Sequence, residues 1–371
     1  MKSAWRIGKI LGIDIKIDSS WLVIFILFTW VLAGQYFPKL FPEGSRALMW
    51  GIGALTSILL FASVLAHELM HSVVALSQGE RVDSITLFIL GGVSQIADEP
   101  KKPWQEFTMA GAGPLGSFIL AGVFFFAALA LQSSSKLLAA SASYLAVLNA
   151  GLGIFNLLPG FPMDGGRVLR SILWKATGNL KKATRIASLS GQGFAFLLML
   201  LGVLQILRGI FSGLWFIFIG WFLHSAAVRG YDQVVLKEML QGFKARDLMT
   251  TDYATVPPSL AVQDLVDGHI LKKKERVFLV MDGHDLQGIV CLEDVKSAPR
   301  GDWPSTLVQD IMTPRDKLEA VSPEDDGNQV LTRLTVRNVN QLPVMENGKV
   351  EGVICRTDLL RTLQLKTELG G

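Results

Sequence analysis

AHELMH, residues 66–71, lies within an apolar run that extends from about Ala47 to Leu76. On a helix, residues four apart share one face, so the imidazoles of His67 and His71 can reach one zinc ion while Glu68 lies beside it. The same pair could also be two buried, hydrogen-bonded histidines. Three ionisable groups are costly within a segment long enough to cross a lipid bilayer, which favours the metal site.

The chain as a whole is unusually apolar. Half of its 371 residues are hydrophobic, 18% are charged, and the mean hydropathy is +0.40. This composition predicts a membrane domain followed, after about Ala227, by a more polar domain. The net charge of +3 indicates no particular partner, and the lack of a basic patch with interleaved aromatic residues argues against nucleic acid. Two cysteines, Cys291 and Cys355, indicate no disulfide framework and fit a reducing compartment.

Six apolar segments are candidates to cross about 30 Å of hydrocarbon, which takes about 20 helical residues. They are residues 21–36, 47–76, 107–131, 137–158, 186–207 and 214–227. The last is short and the fourth contains glycine, so four to seven spans stay open. With six spans, lysine and arginine concentrate on one side, which predicts cytoplasmic N- and C-termini at a multi-pass cell membrane, the inner membrane of a prokaryote. Small residues over 110–117 predict a close helix–helix contact.

Residues 84–96 are partly alternating and β-branched and contain Gly91-Gly92, which predicts a β-hairpin too short to span the membrane. Two placements are open. The hairpin is either an ordinary cytosolic one or a re-entrant one beside the histidine helix, where protein or a watery cavity must cover its backbone. In the second case its edge at Gly91, Gly92 and Val93 can bind substrate by pairing with an extended backbone.

A second charged site follows the fourth apolar segment. Asp164 is the carboxylate of a stretch rich in glycine and proline, residues 156–167. With six spans this stretch returns to the membrane face where His71 lies. Two histidines leave a zinc site incomplete, and Asp164 is well placed to supply a third protein ligand and leave one position for water. Asp-Gly-Gly taken by itself is a common turn.

Together these stretches resemble the site-2 protease family of intramembrane zinc metalloproteases. The resemblance rests on HExxH at residues 67–71, on NxxPxxPxDGG at residues 156–166, and on Gly91-Gly92 between them; it covers most of residues 1–230. Met70 departs from the pattern, because many members carry a small residue there. The implied activity is an endopeptidase that cleaves in or near the transmembrane segment of single-span membrane proteins, in regulated intramembrane proteolysis.

The resemblance also implies roles for individual residues. His67, His71 and Asp164 bind one Zn²⁺, and Glu68 is the general base. Asn156 holds the substrate or its oxyanion, although from the residues alone it could equally cap a broken helix.

After Arg229 the chain contains an internal repeat with an offset of 63 to 64 residues. RDLMT at 246–250 recurs as QDIMT at 309–313, and GIVCLED at 288–294 recurs as GVICRTD at 352–358. Each unit mixes helical stretches with short apolar strands. The repeat therefore predicts two small α/β modules that pack as one soluble domain.

These units resemble a tandem pair of cystathionine-β-synthase (CBS) modules. The resemblance implies that Asp294 and Asp358 contact the ribose of an adenine nucleotide, ATP, ADP or AMP. Cys291 and Cys355 stand where the family carries a hydroxyl residue near phosphate. Nucleotide binding and a purely structural role, including a homodimer through these modules, are therefore alternatives, and either fits a cytosolic regulatory domain.

The predicted fold is a multi-span α-helical membrane domain of about six transmembrane helices with a short membrane-associated β-hairpin, followed by a soluble α/β tandem CBS domain. The boundaries are 1–230 for the membrane domain, 231–243 for a linker, and 244–300 and 306–366 for the two modules. A CBS-gated transporter and a catalytically inactive scaffold are the alternative functions. A transporter would spread polar groups along a pathway, and Glu68 argues against an inactive scaffold.

Overall fold

The computed structural model describes residues 4–89, 91–96, 100–273, 275–283, 285–336, 339–357 and 359. Asp358, one of the two predicted nucleotide contacts, lies outside these residues. The chain folds as two compact units, Met1–Val234 and Val235–Gly371. The division falls within a helix, Gly213–Leu240, which also contains most of the predicted linker.

A four-stranded sheet belongs to the first unit. Its strands are β1 (Ala4–Ile10), β2 (Ile13–Asp18), β3 (Val82–Phe88) and β4 (Gly91–Ile96), in the order β1-β2-β3-β4. β2 and β3 run parallel, whereas β1–β2 and β3–β4 are antiparallel pairs. The predicted hairpin is β3–β4. Among the described strands, β4 forms one edge of this sheet.

Among the described residues of this unit, seven helices follow the strands or lie between them. They are α1 (Ser19–Leu40), α2 (Arg46–Ser77), α3 (Pro103–Leu131), α4 (Lys136–Asn156), α5 (Asp164–Thr177), α6 (Leu180–Leu207) and α7 (Gly213–Leu240). Within the described residues, α1, α2, α3, α4 and α6 are long and apolar enough to cross a membrane. α7 contains the sixth predicted segment and is not among them. The prediction of a multi-span membrane domain is thus confirmed, with five such helices in place of about six.

Local sequence signals explain where these helices begin. Asp18, Ser45, Ser135 and Asn179 cap α1, α2, α4 and α6, each accepting a backbone N–H through its side-chain oxygen. Such caps satisfy N–H groups that have no partner within the helix. Many large apolar side chains on these helices are exposed, as Phe126 and Leu200 are, which suits contact with lipid.

The C-terminal end of α2, which the sequence predicts to face the cytosol, packs against the sheet. A buried apolar cluster joins β2, α2, β3 and α3, through Ile13, Ile15, Ala75, Val82, Ile85 and Met109. α2 also contacts α1, α3, α4 and β4. The helix that carries the two histidines therefore lies at the centre of the first unit.

The second unit is α/β and contains two similar halves. β5 (Thr255–Val256), β6 (Val277–Asp282), β7 (Asp285–Cys291) and β8 (Thr313–Pro314) form one sheet, and β9 (Gln341–Glu346) pairs with β10 (Lys349–Cys355). Its short helical segments are Ala245–Leu248, Val262–Asp264, Leu265–Ile270, Leu271–Lys273, Leu292–Ser297, Arg300–Asp302, Val308–Ile311, Arg315–Lys317 and Gly327–Val336.

The pairing of the strands repeats between the halves. β5 pairs parallel with β6, and Val321 makes the corresponding parallel bridge to β9. Each half has its own apolar core, but Leu240, Ala245 and Leu248 pack in the core of the second half. The first residues of the predicted first module thus lie in the core of the second half.

Candidate metal centre

Three predicted ligands converge at one point in the first unit. His67 Nε2 and His71 Nε2 lie 3.2 Å apart, and Asp164 Oδ2 lies 3.2 Å from the first and 3.1 Å from the second. Ligand atoms bound to a tetrahedral zinc at about 2.0 Å lie about 3.3 Å from one another. The three residues therefore fit a zinc ion by spacing as well as by donor type.

The loop between α4 and α5 brings Asp164 to the histidines. A Cβ added at Gly165 would lie 2.2 Å from the carbonyl oxygen of Leu157, and one added at Gly166 would lie 2.3 Å from the carbonyl carbon of Gly160. Glycine is needed wherever two backbones approach this closely. The Gly-Gly pair after Asp164 thus lets the loop fold tightly enough to place the carboxylate.

Hydrogen bonds to the other ring nitrogens orient both imidazoles. His71 Nδ1 donates to the backbone carbonyl of Met109 at 2.7 Å, and His67 Nδ1 lies 2.9 Å from Ser117 Oγ. A donor at Nδ1 leaves the Nε2 lone pair free, and such partners fix the tautomer and ring direction of metal-binding histidines. Sequence reasoning missed both partners, which lie on α3.

Gly113 of α3 keeps space open at the meeting point. A Cβ added there would lie 2.1 Å from His71 Nε2 and 2.8 Å from His67 Nε2. The sequence assigned the small residues 110–117 to helix packing. That holds for Gly116, whose added Cβ would lie 2.7 Å from Met70 Cγ, but Gly113 serves the candidate metal site.

Glu68 contacts the hairpin. Ser94 Oγ of β4 donates to Glu68 Oε2 at 2.8 Å, and a Cβ added at Gly92 would lie 2.6 Å from Glu68 Cγ. The hairpin thus lies beside the histidine helix, as the re-entrant placement requires, and its depth in the membrane stays a prediction. Gly91 and Val93 lie on the same edge strand, and Ser94 was not predicted.

The charge of Asp164 suits a cation. Burial raises the pKa of this carboxyl, but hydrogen bonds and charge interactions with His67 and His71 lower it by more, so the pKa lies below its usual range. The start of helix α5, with its positive dipole end, also favours the carboxylate. A negative ligand is therefore present at neutral pH.

Comparison with known proteins identifies the family. The model of peptidase family M50 matches residues 55–142 and 132–201, and that of the CBS domain matches 245–301 and 308–365. A Synechocystis relative named as a zinc metalloprotease is 36% identical over 98% of this chain and 96% of its own length. The zinc metalloprotease of Methanocaldococcus jannaschii is 32% identical over 100% of this chain and 99% of its own length.

The chain belongs to peptidase family M50. This is the site-2 protease family, and the chain is a multi-pass membrane metallopeptidase with a tandem CBS pair. The solved site-2 protease from Methanocaldococcus jannaschii is 34% identical, covering 62% of this chain and 95% of that chain with a TM-score of 0.43.

Asn156 ends helix α4 of this M50 peptidase. Its Nδ2 donates to the backbone carbonyl of Leu152 at 3.0 Å, and its side chain is half-buried. This contact favours the role at the end of the broken helix. The oxyanion role of Asn156 stays a prediction.

Asp294 of the CBS pair is engaged within its own turn. Its Oδ2 accepts the backbone N–H of Cys291 at 2.8 Å and the Cys291 thiol at 2.9 Å. Burial and the hydrogen bond to Asp294 raise the pKa of the Cys291 thiol to about 11. Asp294 therefore caps the helix Leu292–Ser297, and its ribose contact stays a prediction.

A cleft of about 450 Å³ lies between the two halves of the second unit. Its lining includes Arg276 and Glu293 from the first half and Arg356 and Thr357 from the second. Cys355 also lines it, whereas Asp294, the residue that the motif singles out, does not. Asp358, the second residue that the CBS resemblance implies, lies outside the described residues, so its ribose contact stays a prediction.

Proposed function

We propose that this chain is an intramembrane zinc endopeptidase that cleaves single-span membrane proteins in or near their transmembrane segments. The observation that carries the proposal is the convergence of His67, His71 and Asp164 beside Glu68, in a unit of long apolar helices. His67, His71 and Asp164 would hold one Zn²⁺, whose chemistry when bound is to acidify water and polarise a peptide carbonyl.

Glu68 would move the proton in this reaction. Its carboxylate accepts a proton from the attacking water and passes it to the amine of the leaving peptide. Ser94 holds one carboxylate oxygen, Oε2, at 2.8 Å, which limits the directions in which Glu68 can accept. The hairpin thus helps to orient the general base.

The edge of β4 is the proposed binding site for substrate. A helical peptide bond is shielded by its own hydrogen bonds, so a membrane helix must become extended before cleavage. An extended segment can pair with a free sheet edge, as in strand addition. β4 carries Gly91, Gly92 and Val93 and contacts Glu68 through Gly92, so a strand added here would lie next to the base.

We propose that the metal centre opens to the cytoplasm. Lysine and arginine concentrate where α2 ends and where α5 and α6 begin, which is the pattern of a cytosolic face. Five spans would put the second unit on the other side. A cytosolic CBS pair therefore requires α7 to cross as well, and its 28 residues give a helix about 42 Å long.

Regulation through the CBS pair is part of the proposal. The cleft of about 450 Å³ favours a small ligand there, and Arg276 and Arg356 in its lining suit an anionic one such as an adenine nucleotide. A homodimer formed through this unit is the alternative. The CBS-gated transporter is less favoured, because His67, His71 and Asp164 converge at one metal-like site, whereas a transporter would spread polar groups along a pathway.

Incubation of purified wild type and Glu68→Gln with a panel of single-span membrane proteins tests the peptidase. Wild type should cleave at least one of them in a metal-dependent way. Glu68→Gln should retain zinc yet lose cleavage by roughly a hundredfold or more, the usual contribution of a general base. Equal products from the two proteins would reject Glu68 as the base, and no cleavage by either would favour the inactive scaffold.

Labelling of native cysteines tests the topology. A membrane-impermeant maleimide should leave Cys355 unmodified in intact cells, because the second unit is proposed to lie in the cytoplasm. Once the membrane is opened the reagent should modify Cys355, because this thiol is only half-buried. Modification of Cys355 in intact cells would place the CBS pair outside. In that case α7 does not cross.

A further inference from the structure

Three residues on one face of α3 surround the candidate metal centre. Met109 accepts the hydrogen bond from His71, Gly113 leaves room for both imidazoles, and Ser117 contacts His67. Glu106 precedes them at the same helical spacing, and it is fully buried with 0% of its surface exposed. The mechanism gives this carboxylate no role.

Glu106 binds two arginines of helix α5. Arg170 Nε donates to Glu106 Oε1 at 2.7 Å, its Nη2 donates to the same oxygen, and Arg167 Nε lies 3.8 Å from that oxygen. Arg170 is itself 7% exposed. The first residue of α5 is Asp164, so this ion pair ties the helix that starts with the aspartate to the helix that orients the histidines.

The two arginines also contact the segments on either side of this joint. The guanidinium of Arg170 lies over the ring of Phe161, 5.1 Å from its centroid, in the loop that leads to Asp164. Arg167 Nη2 lies 3.3 Å from Met109 Sδ. The loop before Asp164, the helix after it, and the α3 residue that accepts from His71 are therefore all in contact with this pair of arginines.

Simple attachment of two helices does not require a buried ion pair. Apolar side chains of similar volume often hold helices as well or better, because a buried pair must repay the desolvation of two charges. Directional bonds between a planar guanidinium and a carboxylate, in contrast, fix one relative position. A small sliding of α5 along α3 would carry Asp164 Oδ2 away from the two Nε2 atoms.

We propose that Glu106 and Arg170 are positioning residues: their ion pair holds α5 in the register that places the Asp164 carboxylate between His67 and His71. The inference rests on the proposed assignment of Asp164 as a metal ligand. It predicts that the pair acts on metal affinity through Asp164, without touching substrate or metal.

Zinc affinity of the purified full chain, measured by competition with a chelator, tests this role. Glu106→Gln and Arg170→Lys should each weaken zinc binding by roughly tenfold to a hundredfold, the usual effect of residues that hold a metal ligand in place. The visible spectrum of the cobalt-loaded protein should also change, because the coordination geometry changes. Glu324→Gln and Arg6→Lys, which alter exposed ion pairs, are the matched controls and should leave both readouts unchanged.

A double variant separates positioning from structural support. Glu106→Gln with Arg170→Met removes both buried charges and should melt close to the wild-type temperature, yet its zinc affinity should stay low. Wild-type zinc affinity in this double variant would overturn the proposal. Loss of the fold in both single variants would show a purely structural pair and overturn it as well.

Asp164→Asn, measured in the same assay, distinguishes failure of this inference from failure of the proposed function. Unchanged zinc binding by Asp164→Asn would reject the proposed ligand set. Loss of zinc by Asp164→Asn, together with normal affinity in Glu106→Gln and Arg170→Lys, would reject only the positioning role.

Discussion

Asp164 of the membrane unit and Asp294 of the CBS pair are both motif aspartates at the start of a helix, but their surroundings differ. Asp164 Oδ2 is shared between two imidazole nitrogens whose other ring nitrogens already have partners, an arrangement that a cation would complete. Asp294 Oδ2 accepts two hydrogen bonds from Cys291 and has its donors within its own turn. The same residue type is therefore set up to bind a ligand in one unit and to cap a helix in the other.

The units also differ in how space is kept around these carboxylates. Gly113 leaves room at the imidazoles in the first unit, because any side chain at this position would overlap their Nε2 atoms. In the second unit a cleft of about 450 Å³ lies between the halves, and Glu293 rather than Asp294 lines it. The motif alone therefore does not decide whether its aspartate faces open space, because the neighbouring donors and glycines also matter.

Gly113→Ala should have the largest effect, because it fills the open space at the candidate metal centre. The added Cβ would overlap His71 Nε2, so the imidazoles must move apart and the three ligand atoms can no longer converge. Bound zinc should fall from about one per chain to below about a tenth, with loss of peptidase activity. Metal analysis of the purified protein measures this.

Gly111→Ala is the matched control, because it lies on the same helix and its added Cβ would meet no atom within 4 Å. It should bind zinc like the wild type. Full zinc content in Gly113→Ala would show that the open space at this glycine has nothing to do with the metal.

Ser94→Ala should have a smaller effect, confined to the chemical step. The variant removes the hydroxyl that donates to Glu68 Oε2, and a hydrogen bond to a charged group contributes about 1.5–3 kcal/mol. The turnover rate should fall by roughly tenfold while zinc content stays the same. Steady-state kinetics with a cleaved substrate, beside Ser77→Ala as the control, measure the change. A loss of zinc would instead place Ser94 among the groups that support the metal.

Much of the fold could be predicted from sequence periodicity and motifs. Apolar runs of helical length predicted the membrane unit, HExxH placed two ligands on one helical face, and the repeat after Arg229 predicted two α/β halves. Asp164 was recognisable because it is the carboxylate of a broken, glycine-rich segment that, with six spans, returns to the membrane face where His71 lies. These signals are local in the chain.

The residues that sequence reasoning missed depend on contacts between distant segments. Ser117 and Met109 reach the histidines only because α3 packs against α2, and Ser94 reaches Glu68 only because β4 does. Nothing in a serine or a backbone carbonyl marks such a role. The position of Glu106 could have predicted its role in part, because a carboxylate so close to an apolar span should have a buried cation as partner.

The reactivity of the Cys291 thiol tests whether Asp294 is engaged as a helix cap. If Asp294 is engaged as a cap, the thiol stays protonated, because its pKa is raised to about 11 from an ordinary 9.0. A thiol reacts as the thiolate, so at pH 8 the reactive fraction should be about a hundredfold smaller than for an ordinary cysteine. In a Cys355→Ser background, the labelling rate should rise with pH up to about pH 11.

Asp294→Asn should speed this labelling at pH 8, because it removes the negative charge that disfavours the thiolate beside it. Asp285→Asn, an exposed change in the same unit, is the control and should label like the parent. Peptidase activity of the Cys355→Ser parent should stay at the wild-type level. If Cys291 labels at the rate of an exposed thiol, Asp294 does not hold it, and the aspartate is as available for a ligand as Asp164 is.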